Sequence, residues 1–174
     1  MSMLVLKKPS YDLREAILDY KQEFFEQGET NINGSCSLAH YDNFDEWLQF
    51  VTSIETLELR DGVHASTFFS VRQTDNKIIG SIQLRHSLTS ELWQHGGNIG
   101  YGIRPLERGK GFGKEQLYLV VDMARQMNIQ ELLITCDKAN IVSCRTALSC
   151  GAVLLDENIY EGTPQLRYII NLEN

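Results

Sequence analysis

The chain has 174 residues, 43% of them hydrophobic and 22% charged, a size and balance that predict one soluble globular domain over residues 1–174 with a core of its own. Its formal net charge of −7 argues against general nucleic-acid binding, which needs a basic face. The four cysteines form no CxxC pair and have no His at metal spacing, so neither a disulfide framework nor a metal site is expected, and no apolar run approaches the roughly 20 residues of a membrane span.

The apolar start MSMLVL is too short for a signal-peptide core, which makes the cytoplasm the expected location. Residues 4–7 predict an opening strand stopped by Pro9. Ser10 is placed to cap a helix that carries Leu13, Ala16, Ile17, Tyr20 and Phe24 at helical spacing and ends near Gly28. Residues 29–41 are polar, contain Asn33-Gly34 and predict a loop, with a mobile wall of a substrate site as the other role open to it. A second helix is expected over 43–59, with Phe44, Trp47, Leu48, Val51 and Ile54 on one face. The period then changes. Asp61-Gly62 predicts a turn, 66–72 and 77–85 a two-stranded hairpin, and 86–97 an irregular connection ending in Gly96-Gly97.

The stretch 98–113, NIGYGIRPLERGKGFG, organises the chain. Ile99, Tyr101 and Ile103 alternate with Gly100 and Gly102 as a short strand, and glycines inside a strand mark a close approach to its backbone. Pro105 ends the ladder. Gly109, Gly111 and Gly113 follow, with Arg104, Arg108, Lys110 and Lys114 as a local basic cluster in an acidic chain. Leu117, Val120, Val121 and Ala124 then give a helix its buried stripe. A strand, a glycine-rich turn and a helix start together aim free N–H groups at an anion. Beyond it come a central strand at 131–136, a helix over 141–150 stopped by Gly151, and strands at 153–159 and 166–171 joined through Gly162 and Pro164. The coarse order β α α β β β α β α β β is a mixed α/β (α+β) arrangement.

Two common phosphate motifs fail at the turn. A P-loop needs Gly at 108 and Ser or Thr at 115, where Arg108 and Glu115 stand. A dinucleotide fingerprint needs Gly at 114, where Lys114 stands. The pattern Arg/Gln-x-x-Gly-x-Gly/Ala fits Arg108-Gly109-Lys110-Gly111-Phe112-Gly113, and Asn140-x-x-Ser143 opens the next helix ahead of Gly151-Ala152. On these residues the chain resembles the GNAT superfamily of acyl-CoA-dependent N-acyltransferases, over about residues 77–168 and in the order of its elements. The resemblance implies a mixed, mostly antiparallel central sheet of about six to seven strands flanked by helices. It also implies acetyl-CoA as cofactor, with Arg108, Gly109, Lys110, Gly111, Phe112, Gly113 and Lys114 around the pyrophosphate, Tyr101, Gly102 and Ile103 along the pantetheine arm on a strand that splays from the next, and Asn140 and Ser143 on the far side. Helix capping is the other role open to Asn140.

The implied reaction is transfer of acetyl to a primary amine by direct attack in a ternary complex, the acceptor being a small molecule or a peptide. Such a reaction needs an acid for the departing thiolate and a base for the amine. The family often carries a Tyr seven residues after the Asn as acid, and that position is Ala147. Tyr101, Tyr118, Tyr160 and Cys136 are candidate substitutes, and Tyr101 and His95 are taken as the catalytic pair, with His86 and Glu157 as alternatives to His95 as base. The carboxylate excess is consistent with a cationic acceptor. Loss of the acid at Ala147 favours a second reading, a non-catalytic acyl-CoA sensor. Oligomeric state leaves no mark in the sequence, although this superfamily often forms homodimers.

Overall fold

The computed structural model describes residues 3–56 and 63–173. Among the described residues, seven strands form two antiparallel sheets. In the first, β1 (Leu4–Lys7), β2 (Ala65–Arg72), β3 (Ile78–Arg85) and β4 (Ile99–Ile103) lie in sequence order; in the second, β5 (Glu131–Asp137) and β6 (Val153–Tyr160) flank β7 (Thr163–Asn171). The helices are α1 (Arg14–Glu26), α2 (Phe44–Ser53), α3 (Ser90–His95), α4 (Phe112–Gln126) and α5 (Ile141–Ser149). This is the mixed, mostly antiparallel α/β architecture expected from the sequence, with strands and long helices falling close to the predicted ranges.

Three differences have local causes. Residues 86–97 are not irregular throughout: Thr89 Oγ1 accepts the Leu92 N–H at 3.2 Å and starts the short α3. The first helix opens with a 3-10 turn at Tyr11–Leu13, and Ser10 supplies no side-chain cap bond. The second helix ends at Ser53; the remainder of its expected span at 57–59 and the Asp61-Gly62 turn lie outside the described residues.

Strands β2 and β3 are buried on both faces, because successive side chains feed two different cores. Phe68, Ile82 and Leu84 pack with the α4 stripe of Leu117, Val120, Val121 and Ala124 and with Leu132 and Ile134 of β5. Phe69, Val71 and Ile78 pack against Ile17, Tyr20 and Phe24 of α1 and Trp47 and Val51 of α2. Each such large side chain contributes roughly 1.5–3 kcal/mol over leaving it exposed.

Hydrogen bonds of Asn98 tie the two sheets together. Asn98, just before β4, donates its N–H to Leu133 O (2.7 Å) and accepts the Leu133 N–H on Oδ1 (2.8 Å), while its Nδ2 donates to Arg85 O (3.0 Å). Beyond that junction β4 forms a ladder with β3 and, among the described residues, with no other strand, so its outer edge is left open. At the far end of β4, Arg104 is 2% exposed and donates to Glu23 (2.9 Å), Asp19 (2.8 Å) and Ile78 O (2.8 Å). It locks α1 to the sheet and does not join the basic cluster at the glycines.

Candidate functional site

Helix α4 starts on Gly111, which has a left-handed φ of 86° and no side-chain cap. Gly109 is left-handed too, at φ 77°. A Cβ added at either would meet no atom within 4 Å, so glycine serves the backbone conformation and keeps the space before the turn open. The N–H groups of Gly109, Lys110, Gly111, Phe112, Gly113 and Lys114 donate to no acceptor among the described residues. Together with the positive end of α4 they make a concave row of donors suited to a phosphate.

This row opens into a cleft of about 630 Å³. Tyr101, Gly102 and Ile103 line it from β4, Asn140, Ser143 and Thr146 from the start of α5, and Glu29 and Asn33 from the α1–α2 loop. The structure thus gathers the cofactor residues expected from the sequence in or around one cavity. Arg108 is paired with Glu29 (2.6 and 2.8 Å) and donates Nε to Ile103 O (3.0 Å). Lys110 donates to Glu107 (2.9 Å), and Lys114 lies over the Tyr118 ring at 5.6 Å. Asn140 Oδ1 accepts the Ser143 N–H at 3.1 Å, so it caps α5 while also lining the cleft.

The Tyr101 hydroxyl crosses from β4 to Ser143 Oγ (3.0 Å), which in turn lies 3.2 Å from Cys136 Sγ on β5. Burial raises the Tyr101 phenol above its ordinary value, with the Ser143 bond opposing it, so the hydroxyl keeps its proton near neutrality. Burial likewise pushes the Cys136 thiol up to about 11. Ala147 is fully buried in the α4–α5 core. His95 does not line the cleft: its ring stacks on Tyr160 at 4.5 Å at the end of α3. His86 Nε2 contacts Ser66 Oγ (2.8 Å), Glu157 pairs with Lys138 (2.8 Å) and Tyr118 donates to Ser149 O (2.8 Å), all outside the cleft lining.

The α1–α2 loop, which carries no motif, is also part of the site. Asn33 lines both the cleft and a second cavity of about 440 Å³ on its other side. Gly34 sits so close to the sheet that a Cβ would fall 2.6 Å from Gly100 O and from Ser81 O, and a Cβ on Gly102 would fall 2.9 Å from Asn33 O. The close approach that the glycines of β4 signalled is therefore made by this loop. Ser81 Oγ donates to Asn33 O (2.9 Å), and Trp47 Nε1 donates to the carbonyls of Ser35 (3.2 Å) and Cys36 (3.1 Å). Cys36 and Ser37 are held at positive φ, 54° and 61°, a conformation that costs a non-glycine residue roughly 1–2 kcal/mol. In the sequence only Asn33-Gly34 marks the segment, and it predicts a turn, not a partition between two cavities.

Comparisons agree with this geometry. The acetyltransferase (GNAT) domain family model matches residues 19–153. Among solved structures, the ribosomal L7/L12 alpha-N-protein acetyltransferase RimL in complex with coenzyme A is 17% identical, covering 98% of this chain and 95% of that one at a TM-score of 0.68. An acetyltransferase from Salmonella typhimurium that modifies the N-terminal serine of the same ribosomal protein is 17% identical, with 99% and 97% covered at 0.66. A spermidine N-acetyltransferase chimera of the Vibrio cholerae SpeG and hSSAT is 16% identical, with 98% and 96% covered at 0.66. At such identities these likenesses speak to the fold. No curated protein sequence matches the chain. With the family model matched over most of its length, the chain belongs to the GNAT acetyltransferase family and is an acyltransferase.

Proposed function

We propose that the chain, as one domain over 1–174 acting in the cytoplasm, transfers acetyl from acetyl-CoA to a primary amine, both bound at once. The observation that carries this reading is the row of unpartnered N–H groups from Gly109 to Lys114 opening into the cleft between β4 and the start of α5. The row fits a pyrophosphate, since only open space stands before Gly109 and Gly111. Arg108, Lys110 and Lys114 add cationic side chains beside it, and Phe112 and Gly113 supply N–H groups from the first turn of α4. Tyr101, Gly102 and Ile103 offer the free edge of β4 to an amide-bearing arm, with Asn140 and Ser143 opposite.

When bound, acetyl-CoA supplies an activated acetyl thioester: the amine nitrogen gains a C–N bond as the C–S bond breaks, and the proton that nitrogen loses balances the one that sulfur gains. Tyr101 holds a phenolic proton in the cleft and is the proposed acid, taking the part that Ala147 cannot. The loop at Asn33 and Gly34 divides the cofactor cleft from the cavity where an acceptor enters. His95, the base expected from the sequence, lies outside both cavities and receives no role here.

Titration calorimetry with acetyl-CoA, CoA, ATP and NAD tests the proposal, with CoA ligands expected to bind and the nucleotides not. Gly111→Asp adds a charge and a strained Cβ at the turn and is expected to abolish CoA binding while the fold survives. Unchanged affinity in that variant would refute the cradle.

A further inference from the structure

Among the described residues, the cavity beyond Asn33 has no Asp or Glu in its lining, in a protein whose 23 acidic residues outnumber its 16 Lys and Arg. Its strong cation is Arg85 on β3, two residues from Gln83 and so on the same face. Arg14, Arg72, Arg104, Arg108, Arg125 and Arg167 each reach a carboxylate at 2.6–2.8 Å. Half-buried Arg85 reaches none among the described residues; its hydrogen bond runs from Nη1 to Gly97 O at 2.8 Å. Arg145, also without a carboxylate, is exposed on α5, where water solvates it.

A partly buried guanidinium without a counter-charge is costly. Burial lowers the Arg85 pKa, and the neighbouring Cys36 thiol, pushed up to about 11 by its own burial, stays neutral and cannot compensate. The remaining donors of Arg85 form a planar fork that matches a carboxylate. Ile32, Phe50, Ile54, Val63 and Leu92 give the walls an apolar portion, which they share with the polar side chains of Asn31, Ser37, His40 and Gln83. A cavity of about 440 Å³ is at the small end of ligand sites.

We infer that the acceptor is a small amine that also bears a carboxylate and an apolar body, an amino acid or a close analogue, and that Arg85 binds the carboxylate. The inference rests on the acetyl-transfer reading and narrows its substrate class. The carboxylate sits at Arg85, the apolar body lies on the walls, and the amine points toward Asn33, which the cofactor cleft shares. A polyamine meets the guanidinium with no anion to offer and is selected against. The acidic composition of the whole chain suggests a cationic acceptor; the lining of this cavity, which holds no carboxylate among the described residues, points the other way.

The test compares wild type, Arg85→Met and Arg85→Lys. Thiol release at saturating acetyl-CoA is measured with leucine and phenylalanine, with leucinamide and phenylalaninamide, and with spermidine. The amino acids are expected to exceed the amides and spermidine by about 10-fold or more in kcat/KM, and Arg85→Met to lower kcat/KM for the amino acids by about 100-fold, chiefly through KM, leaving the amides unaffected. Arg85→Lys is expected to fall between, and acetyl-CoA affinity to stay within about twofold in both variants, since Arg85 lies outside the cofactor cleft. A readout without turnover is the thermal shift of CoA-loaded protein by N-acetylleucine against N-isopentylacetamide, expected to favour the carboxylate in wild type and not in Arg85→Met. Preference for amides or spermidine, or a selectivity that Arg85→Met leaves unchanged, would overturn the inference. Wild type that binds no acetyl-CoA would instead bring down the acetyl-transfer reading beneath it.

Discussion

Arg108 and Glu29 are joined by two hydrogen bonds across the mouth of the cofactor cleft, Nη1 to Oε1 at 2.6 Å and Nη2 to Oε2 at 2.8 Å. One comes from the glycine turn and the other from the loop after α1, and both line the cavity. The Arg108 bonds hold the Glu29 carboxyl below its usual range, so it is ionised near neutrality. It therefore stands beside the N–H row as a resident anion, and a phosphate there competes with it for the guanidinium. Both side chains are well exposed, so the pair adds little stability. Glu29→Gln is expected to tighten acetyl-CoA binding by about 3- to 10-fold at low ionic strength and by less at 0.5 M salt, where charges are screened. Calorimetry at the two salt concentrations measures this. Weaker binding in the variant would show that the pair serves to hold the loop in place.

Tyr101 carries two separable roles, a main chain on the free edge of β4 and a hydroxyl that reaches Ser143. Tyr101→Phe removes only the second. The phenol's raised pKa comes from burial, so the acid form persists over the pH range in which the amine loses its proton. The variant is expected to lose about 10²- to 10⁴-fold in kcat, the usual span for a general acid, with acetyl-CoA affinity within about threefold. Single-turnover measurements with a poor and a good thiol leaving group sharpen the outcome: the loss should be larger for the more basic thiolate. An unchanged kcat would remove Tyr101 from the chemistry.

The proposed cofactor half of the site rests on local motifs. Gly109, Gly111 and Gly113 sit within one turn, and Asn140 with Ser143 opens one helix, so the residues that carry the family resemblance stand close together in the sequence and line one cleft in the fold. The stripe of α4 and the β2–β3 hairpin were legible for the same reason, since their periods are written in consecutive residues. The acceptor half depends on contacts between distant segments. Asn33 and Gly34 meet β3 and β4 across nearly fifty or more residues of chain, and no local period announces that. Arg104 misled in the same way: it lies next to the glycine turn in sequence, yet its guanidinium points to Asp19 and Glu23 on α1. His95 stood close to β4 in sequence, and α3 carries it against Tyr160.

Glu107 links the turn to the sheet through acid–base pairing that pH can probe. Its side chain is 7% exposed and accepts from Lys110 at 2.9 Å and from Arg72 at 3.0 Å, with Lys77 at 3.4 Å. Lys110 and then Arg72 hold its carboxyl down at about 2 against the pull of burial. An ordinary Glu in the unfolded chain titrates near about 4.3. The folded value is the lower one, so the contribution to stability is complete above about pH 4.3 and is lost as pH falls toward about 2, because protonation in that window favours the unfolded chain. Glu107→Gln removes this dependence and leaves the other carboxylates as they are. Melting temperatures of wild type and variant, measured from pH 7 down to the acid limit of solubility, are expected to differ most above pH 5 and to converge steadily below about 4. Curves that stay parallel through that range would show that the three cations do not stabilise the ionised form of Glu107.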